Sequence, residues 1–175
     1  MARSITTAFN NAIKSQVVRP FLACELAFST GTLYFWNGYG DITMTAGGSS
    51  NTFTGLGDLI NISAISESDQ VEAIGASLSL TGIKSSLISA ALSSNYTNRN
   101  ASIYLGLFDT NKSVIADVYT LFKGKMDIMK IDEGAETAAI TLNVENRLIS
   151  FDRPKIRRFT HEDQQERLSG DLGLE

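Results

Sequence analysis

Between Phe21 and Arg153 the chain contains no proline, and over much of this stretch apolar and polar residues alternate. Proline cannot donate a hydrogen bond to a sheet, so a long proline-free stretch leaves the backbone able to form extended paired strands. Alternation with a period of two places successive side chains on opposite faces of a strand. The sequence therefore predicts a mainly β domain over residues 20–150, built as an antiparallel β-barrel or sandwich.

The most regular alternation lies in two arms, 118–131 and 136–148, joined by a turn at 132–135. In the second arm one face carries Ala138, Ile140, Leu142 and Val144. In the first arm the expected buried face carries Phe122, Met126 and Ile128, and Gly124 permits a bend or bulge. An earlier strand places Ile74, Ala76, Leu78 and Leu80 on one face.

Glycine-containing turns separate the shorter strands. Asn37-Gly38 is typical of a tight two-residue hairpin, and the sequence AGGSSN at 46–51 indicates another turn.

Two short helices are predicted outside this β pattern. Residues 4–15 place Ile5, Phe9 and Ile13 at helical spacing behind Ser4 as an N-cap. We assign residues 1–19 to an N-terminal helical arm, which lies either on its own domain or on a neighbouring subunit. A second, internal helix is predicted over 85–95, where Leu87, Ile88, Ala91 and Leu92 share one face.

Composition excludes several functional classes. The formal net charge is -4 and the pI about 5.0, whereas nucleic-acid binding needs a basic face that neutralises phosphates. The single cysteine, Cys24, rules out an intramolecular disulfide and multi-cysteine metal sites. No apolar run reaches the ~18 residues of a membrane-spanning helix. We expect no cofactor, no membrane anchor and no enzymatic activity.

The one histidine, His161, lies in the sequence HEDQQ. A zinc-binding H-E-x-x-H motif would need a second histidine where Gln165 stands, and no G-x-S-x-G nucleophile motif is present. Thr160 and Asp163 instead resemble a capping box, which predicts a short, polar C-terminal helix. Gly170 is expected to end this helix. We assign residues 151–175 to a charged C-terminal docking segment.

Two further groups of residues are candidates for protein contact. The aromatic cluster at 33–41 includes Trp36 and Tyr39, which form either a binding platform or a plug at the end of the β core. The basic run at 153–159 is either a docking element or a solvated tail. The complete set of candidate contact residues is Trp36, Tyr39, Arg153, Lys155, Arg157, Arg158, His161 and Asp163.

A series of sequence blocks, in order, carries a family resemblance. The blocks are FWNGYGDI, the stretch FTGLGDLINISAISESDQVEAIGASLSLTGI, LISAALSSNYTNRNASIYLGLFD, LFKGKMDIMKIDEGAETAAITLNVENRLISFDRP and RRFTHEDQQERLSGDLGLE. Together they resemble the tail-tip or baseplate-hub proteins of bacteriophages and prophages with long, non-contractile tails. The resemblance covers about residues 17–175.

This resemblance implies a β-barrel hub domain related to tail-tube proteins, located in the virion tail and assembled in the host cytoplasm. It implies a homo-oligomeric ring at the distal end of the tail, with three copies as the first expectation and six as the second. The implied partners are the distal tail protein, the tape-measure protein and other hub or fibre proteins. No catalytic residues follow from it. The alternative function from the residues alone is a carbohydrate-binding β module that recognises the host surface through Trp36 and its neighbours.

Overall fold

The computed structural model describes residues 5–57, 60–63, 75–81, 95–115, 118–133, 138–146, 148, 160–171 and 173. Within these residues the chain forms two helices and nine strands, which confirms the mainly β class. The helices are α1 (Thr7–Ile13) and α2 (His161–Arg167). The strands are β1 (Arg19–Phe28), β2 (Gly31–Trp36), β3 (Asp41–Ala46), β4 (Ser49–Gly55), β5 (Ile60–Ile62), β6 (Gly75–Thr81), β7 (Asn100–Phe108), β8 (Tyr119–Glu133) and β9 (Ala138–Asn146).

The nine strands belong to one sheet in the order β3-β4-β2-β1-β7-β8-β9-β6-β5. Neighbouring strands are antiparallel except β2 and β4, which are parallel. In that parallel pair Phe35 lies opposite Thr54, and Trp36 lies opposite Gly55. The pairings among the described strands leave β3 and β5 at the two ends, so they do not close the sheet into a barrel.

The β3–β4 hairpin folds back over the sheet and forms a partial second layer. In the strand order β4 lies three steps from β7, which would separate them by roughly 14 Å in a flat sheet. A side-chain carbon on Gly47, at the tip of this hairpin, would nevertheless lie 3.1 Å from the Tyr104 hydroxyl of β7. The sandwich-like arrangement therefore comes from one sheet curling over its own face.

This folding creates a core on each face of β1. The small core, under the hairpin, contains Phe21, Ala23, Trp36, Met44, Ala46, Phe53 and Tyr104. The large core, on the opposite face, includes Cys24, Leu26, Phe28, Phe35, Ala76, Leu78, Leu80, Ala101, Ile103, Phe122, Met126, Ile140, Leu142 and Val144. The predicted buried faces of β6 and β9 are thus confirmed at Ala76, Leu78, Leu80, Ile140, Leu142 and Val144.

The two predicted glycine turns have different outcomes. Gly47 and Gly48 form the two-residue connection between β3 and β4, with φ of 61° and 90° as a tight hairpin requires. The hairpin predicted at Asn37-Gly38 is wrong, because β2 pairs with β1 and β4 and not with β3. Asn37 instead continues the interaction with β1, since its side-chain oxygen accepts from the Leu22 amide at 2.8 Å.

The predicted buried position of Ile128 is also wrong, because β8 is irregular. The register between β8 and β9 shifts between Met126 and Met129, so Met126 lies opposite Val144 and Met129 opposite Leu142. Met126 and Met129 therefore both reach the large core, while Ile128 is 54% exposed. The irregularity expected at Gly124 falls on either side of it, because β8 shifts register against β7 between Thr120 and Phe122 and against β9 between Met126 and Met129.

Helix α1 begins two residues later than its sequence predicts. Its N-cap is Thr6, whose hydroxyl accepts from the Phe9 amide at 3.4 Å, while Ser4 lies outside the described residues. Phe9 is the one buried residue of α1 and its ring lies 6.2 Å from that of Tyr119. Burial of one phenylalanine contributes about 2–3 kcal/mol.

The remaining predictions fall partly outside the described residues. The internal helix predicted over 85–95 lies outside the described residues, apart from Asn95. Gly134 and Ala135 of the predicted turn at 132–135 also lie outside the described residues. Asp132 and Glu133 of that turn belong to β8.

The irregularity in β8 predicts unequal effects of the same substitution at two isoleucines. The substitution Ile103→Ala should lower the free energy of unfolding by about 2–5 kcal/mol. Ile103 on β7 is 0% exposed, so the smaller side chain leaves a cavity in the large core. Ile128→Ala should change it by no more than about 0.5 kcal/mol. Urea unfolding followed by circular dichroism measures both, and equal losses would contradict the assigned register.

Candidate functional site

Trp36 belongs to the small core rather than to an exposed platform. Its side chain is 7% exposed, and its ring lies edge-on to Phe21 and Phe108 with centroid distances of 5.8 Å to each. Its indole N–H donates to the Gly40 carbonyl at 2.8 Å. Phe35, the next residue along the chain towards the N-terminus, is buried on the opposite face in the large core. This position favours the interpretation in which alternate aromatic residues fill the β core.

The bend at residues 37–40 is packed directly against Trp36. A side-chain carbon on Gly38 would lie 2.0 Å from the indole ring, so the bend needs glycine at that position. The end of β4 closes over the same bend, because the Gly55 amide donates to the Gly40 carbonyl at 2.9 Å and the Gly57 amide to the Gly38 carbonyl at 2.8 Å. These contacts fix the bend in one conformation.

Tyr39 projects from this bend and is 82% exposed. Gly57, with φ of 67°, approaches its ring so closely that a side-chain carbon there would lie 2.9 Å from Tyr39. A tyrosine on a fixed bend offers a large contact area with little loss of side-chain freedom. Of the two aromatic candidates, Tyr39 is therefore the one that the structure leaves available to a partner.

A polar pair beneath the β3–β4 hairpin was not found from the sequence. The Tyr104 hydroxyl donates to Glu25 Oε2 at 2.7 Å, and the tip of the hairpin at Gly47 lies over both groups. Burial, followed by the hydrogen bond to Glu25, raises the pKa of Tyr104 to about 12. The one available signal was Glu25 itself, a carboxylate in the otherwise apolar sequence FLACELAF.

Cys24 is adjacent to this pair in sequence but faces the large core. It is fully buried, and burial raises the pKa of its thiol to about 12. The thiolate is the reactive form of cysteine, so this side chain is suited to packing and not to nucleophilic catalysis.

His161 and Asp163 lie together on α2, in the capped helix that the sequence predicted. The Thr160 hydroxyl accepts from the Asp163 amide at 3.4 Å, and Asp163 Oδ2 lies 3.7 Å from Nη2 of Arg167. His161 is half-buried, and its Nδ1 is buried without a hydrogen-bond partner among the described residues.

The C-terminal end of α2 differs from the prediction. The helix ends at Arg167 with Leu168 as its C-cap, and not at Gly170, although Gly170 adopts a φ of 89°. Gln165 then organises the following turn, since its side chain accepts from the Gly170 amide at 3.0 Å and donates to the Asp171 carbonyl at 2.7 Å. Hydrogen bonds from the Gln164 side chain and the Gly173 amide lower the pKa of Asp171.

The basic candidates Arg153, Lys155, Arg157 and Arg158 lie outside the described residues. Across the part of the chain that the structure describes, no three or more histidine, cysteine, aspartate or glutamate residues cluster closely enough to hold a metal ion. Over the same residues, no helix has the length and apolar character needed to span a membrane.

The Glu25–Tyr104 pair predicts a loss of stability at alkaline pH. The folded-state pKa of Tyr104 is raised from about 10 to about 12. The protonated Tyr104 hydroxyl should therefore make its full contribution to the free energy of unfolding below pH 10 and lose it as the pH approaches 12. The difference in unfolding free energy between the wild type and Tyr104→Phe should therefore shrink by about 1–3 kcal/mol over this range. Urea unfolding at several pH values measures it.

Tyr39→Phe serves as the matched control, because Tyr39 is exposed. Its unfolding free energy should follow that of the wild type at each pH. A Tyr104→Phe difference that stayed constant from pH 9 to 12 would contradict the assigned hydrogen bond.

Comparison with known proteins identifies a similarity of fold. No protein-family model matches the sequence, and no curated protein matches it. The structure is similar to a chain in a solved structure of the virion of a native gene transfer agent (GTA) particle, with a TM-score of 0.58 and 15% sequence identity. The similar region covers 89% of this chain and 49% of that chain, so this chain spans about half its length.

Proposed function

We propose that this chain is a structural subunit of a phage-like virion, located in the tail tip or baseplate hub. The observation that carries the proposal is the similarity of fold to a chain of the gene transfer agent virion over 89% of this sequence. The ordered sequence blocks that resemble tail-tip proteins support the finer assignment to the tail.

The distribution of buried groups supports a structural role. The aromatic Trp36, the thiol of Cys24 and the Glu25–Tyr104 pair are all packed within or between layers of the fold. We therefore propose that the protein has no enzymatic activity.

We propose that the subunits form a ring of three copies, or of six as the alternative, at the distal end of the tail tube. The described sheet ends at β3 and β5, and an exposed strand edge invites pairing with another chain. Closure of a ring covers such edges in a defined way. The proposed neighbours are the distal tail protein, the tape-measure protein and other hub or fibre proteins.

The candidate contacts divide into two surfaces. Tyr39 presents an exposed aromatic ring from the fixed bend, and α2 presents His161 and Asp163. Together with Arg153, Lys155, Arg157 and Arg158 these form the proposed contact set. A carbohydrate-binding module that recognises the host surface through Trp36 and its neighbours is not proposed, because the ring of Trp36, the central residue of that cluster, is buried.

Location in the particle tests the proposal. A gold or fluorescent label on this chain should appear at one end of the tail in electron micrographs of purified particles. Light scattering of the purified protein should give the mass of three or six copies. A label on the capsid, or a chain absent from the particles, would overturn the proposed location, and a strict monomer would overturn the ring.

Deletion of residues 157–175 should impair tail assembly while the β domain remains folded, because this segment is proposed to dock on a neighbouring protein. Circular dichroism and urea unfolding of the truncated protein check the fold, and electron microscopy of particles made with it checks assembly. The substitution Thr160→Ala, which removes the cap of α2, is a milder variant and should reduce assembly less. Particles with normal, infectious tails after the deletion would contradict a docking role.

A further inference from the structure

Among the residues that the structure describes, the N-terminal arm is represented by residues 5–18, and it packs on the β domain chiefly through Phe9, which is 2% exposed. Its helix α1 buries Phe9 alone, against Tyr119. The hydrogen bonds that it makes to described residues all stay within the arm, such as Asn10 to Thr6 and Ser15 to Val17. Arg19, the first residue of β1, is the anchor that follows, since its guanidinium donates to the Asp109 carbonyl at 3.0 Å.

An open cleft of about 220 Å³ separates the end of the arm from the domain. Its walls include Ala12, Val17 and Val18 of the arm, and Leu107, Phe108 and Ile115 of the domain. Both walls are mostly apolar, so a closer fit would remove apolar surface from water. Within one chain this fit is incomplete, and Val17 remains 63% exposed.

We propose that this arm exchanges between copies of the chain, so that Phe9 of one copy docks beside Tyr119 of the next. The binding position beside Tyr119 already fits this arm, because Phe9 of the same chain occupies it. Exchange of an identical element reuses that complementarity and needs no new recognition surface. A second copy is therefore the occupant that the structure favours over an unrelated partner.

The arm has the mechanical properties that exchange requires. A seven-residue helix is not stable alone in water, so an arm released from its own domain gains stability by docking on a neighbour. The linker at 14–18 is exposed and makes no hydrogen bond to the described residues of the domain, so it can be redirected without disturbing the sheet. The inference rests on the proposed function in one respect, because exchange requires an assembly of copies.

Cross-linking between separately labelled chains tests the exchange. Ala12 and Thr110 line the same cleft, one on the arm and one on the domain. Affinity-tagged Ala12→Cys and untagged Thr110→Cys chains are co-expressed at full length and treated with a short bismaleimide. Exchange predicts a covalent product that contains one tagged and one untagged chain. Adding Phe9→Ala to the tagged chain should reduce its yield several-fold.

Two controls define the background. Each single variant, expressed alone, should give little covalent dimer, and Cys24 should not react because it is fully buried. A double variant, Thr43→Cys with Thr52→Cys, should cross-link within one chain, since these hydroxyls lie 3.3 Å apart on adjacent strands of one hairpin. It shows that the reagent reports neighbouring positions in the native fold.

The double variant Ala12→Cys with Thr110→Cys gives the opposing readout. Covalent oligomers of this double variant on a denaturing gel support exchange. A cross-linked product of monomer mass, together with no tagged–untagged product in the co-expression experiment, overturns it. Light scattering of the same sample separates the two proposals. An oligomer with intrachain cross-links would leave the ring standing and overturn the exchange, whereas a monomer would overturn both.

Discussion

Burial of β1 on both faces is the constraint on which the rest of the fold depends. Phe21 and Ala23 face the small core, and Cys24 and Leu26 face the large core. A strand with two apolar faces needs a packing layer on each face, and its neighbours within the sheet cover only its edges. The curl of the large sheet encloses one side, and the β3–β4 hairpin folds over the other. The Glu25–Tyr104 pair and the buried Trp36 both follow from this second cover.

Strand existence and the buried faces of the regular strands could be predicted because both are local properties. The alternation of Leu78 and Leu80 in β6, or of Leu142 and Val144 in β9, is visible in a few consecutive residues. The exposure of Ile128 could not be predicted in this way, because a bulge reverses the alternation and depends on which residues of β9 lie opposite. The Asn37-Gly38 signal failed for a similar reason, since long-range pairing of β2 with β4 replaced the local hairpin.

The candidate contact residues divide in the same way. The cap formed by Thr160 and Asp163 was predictable because its atoms lie three residues apart. The sequence also offered a core position for alternate aromatic residues, and Trp36 occupies one. Glu25 and Tyr104 are 79 residues apart, so their hydrogen bond depends on the register of β1 against β7 and on the hairpin above them. Such a pair has no short-range signature.

The tip of the β3–β4 hairpin has a practical consequence for anyone who modifies this protein. Hairpin tips are ordinarily the first choice for inserting an epitope or a fluorescent domain, because exposed turns tolerate added residues. Here Gly47 lies against the Tyr104 hydroxyl, so an insertion would lift the hairpin and let water reach the small core.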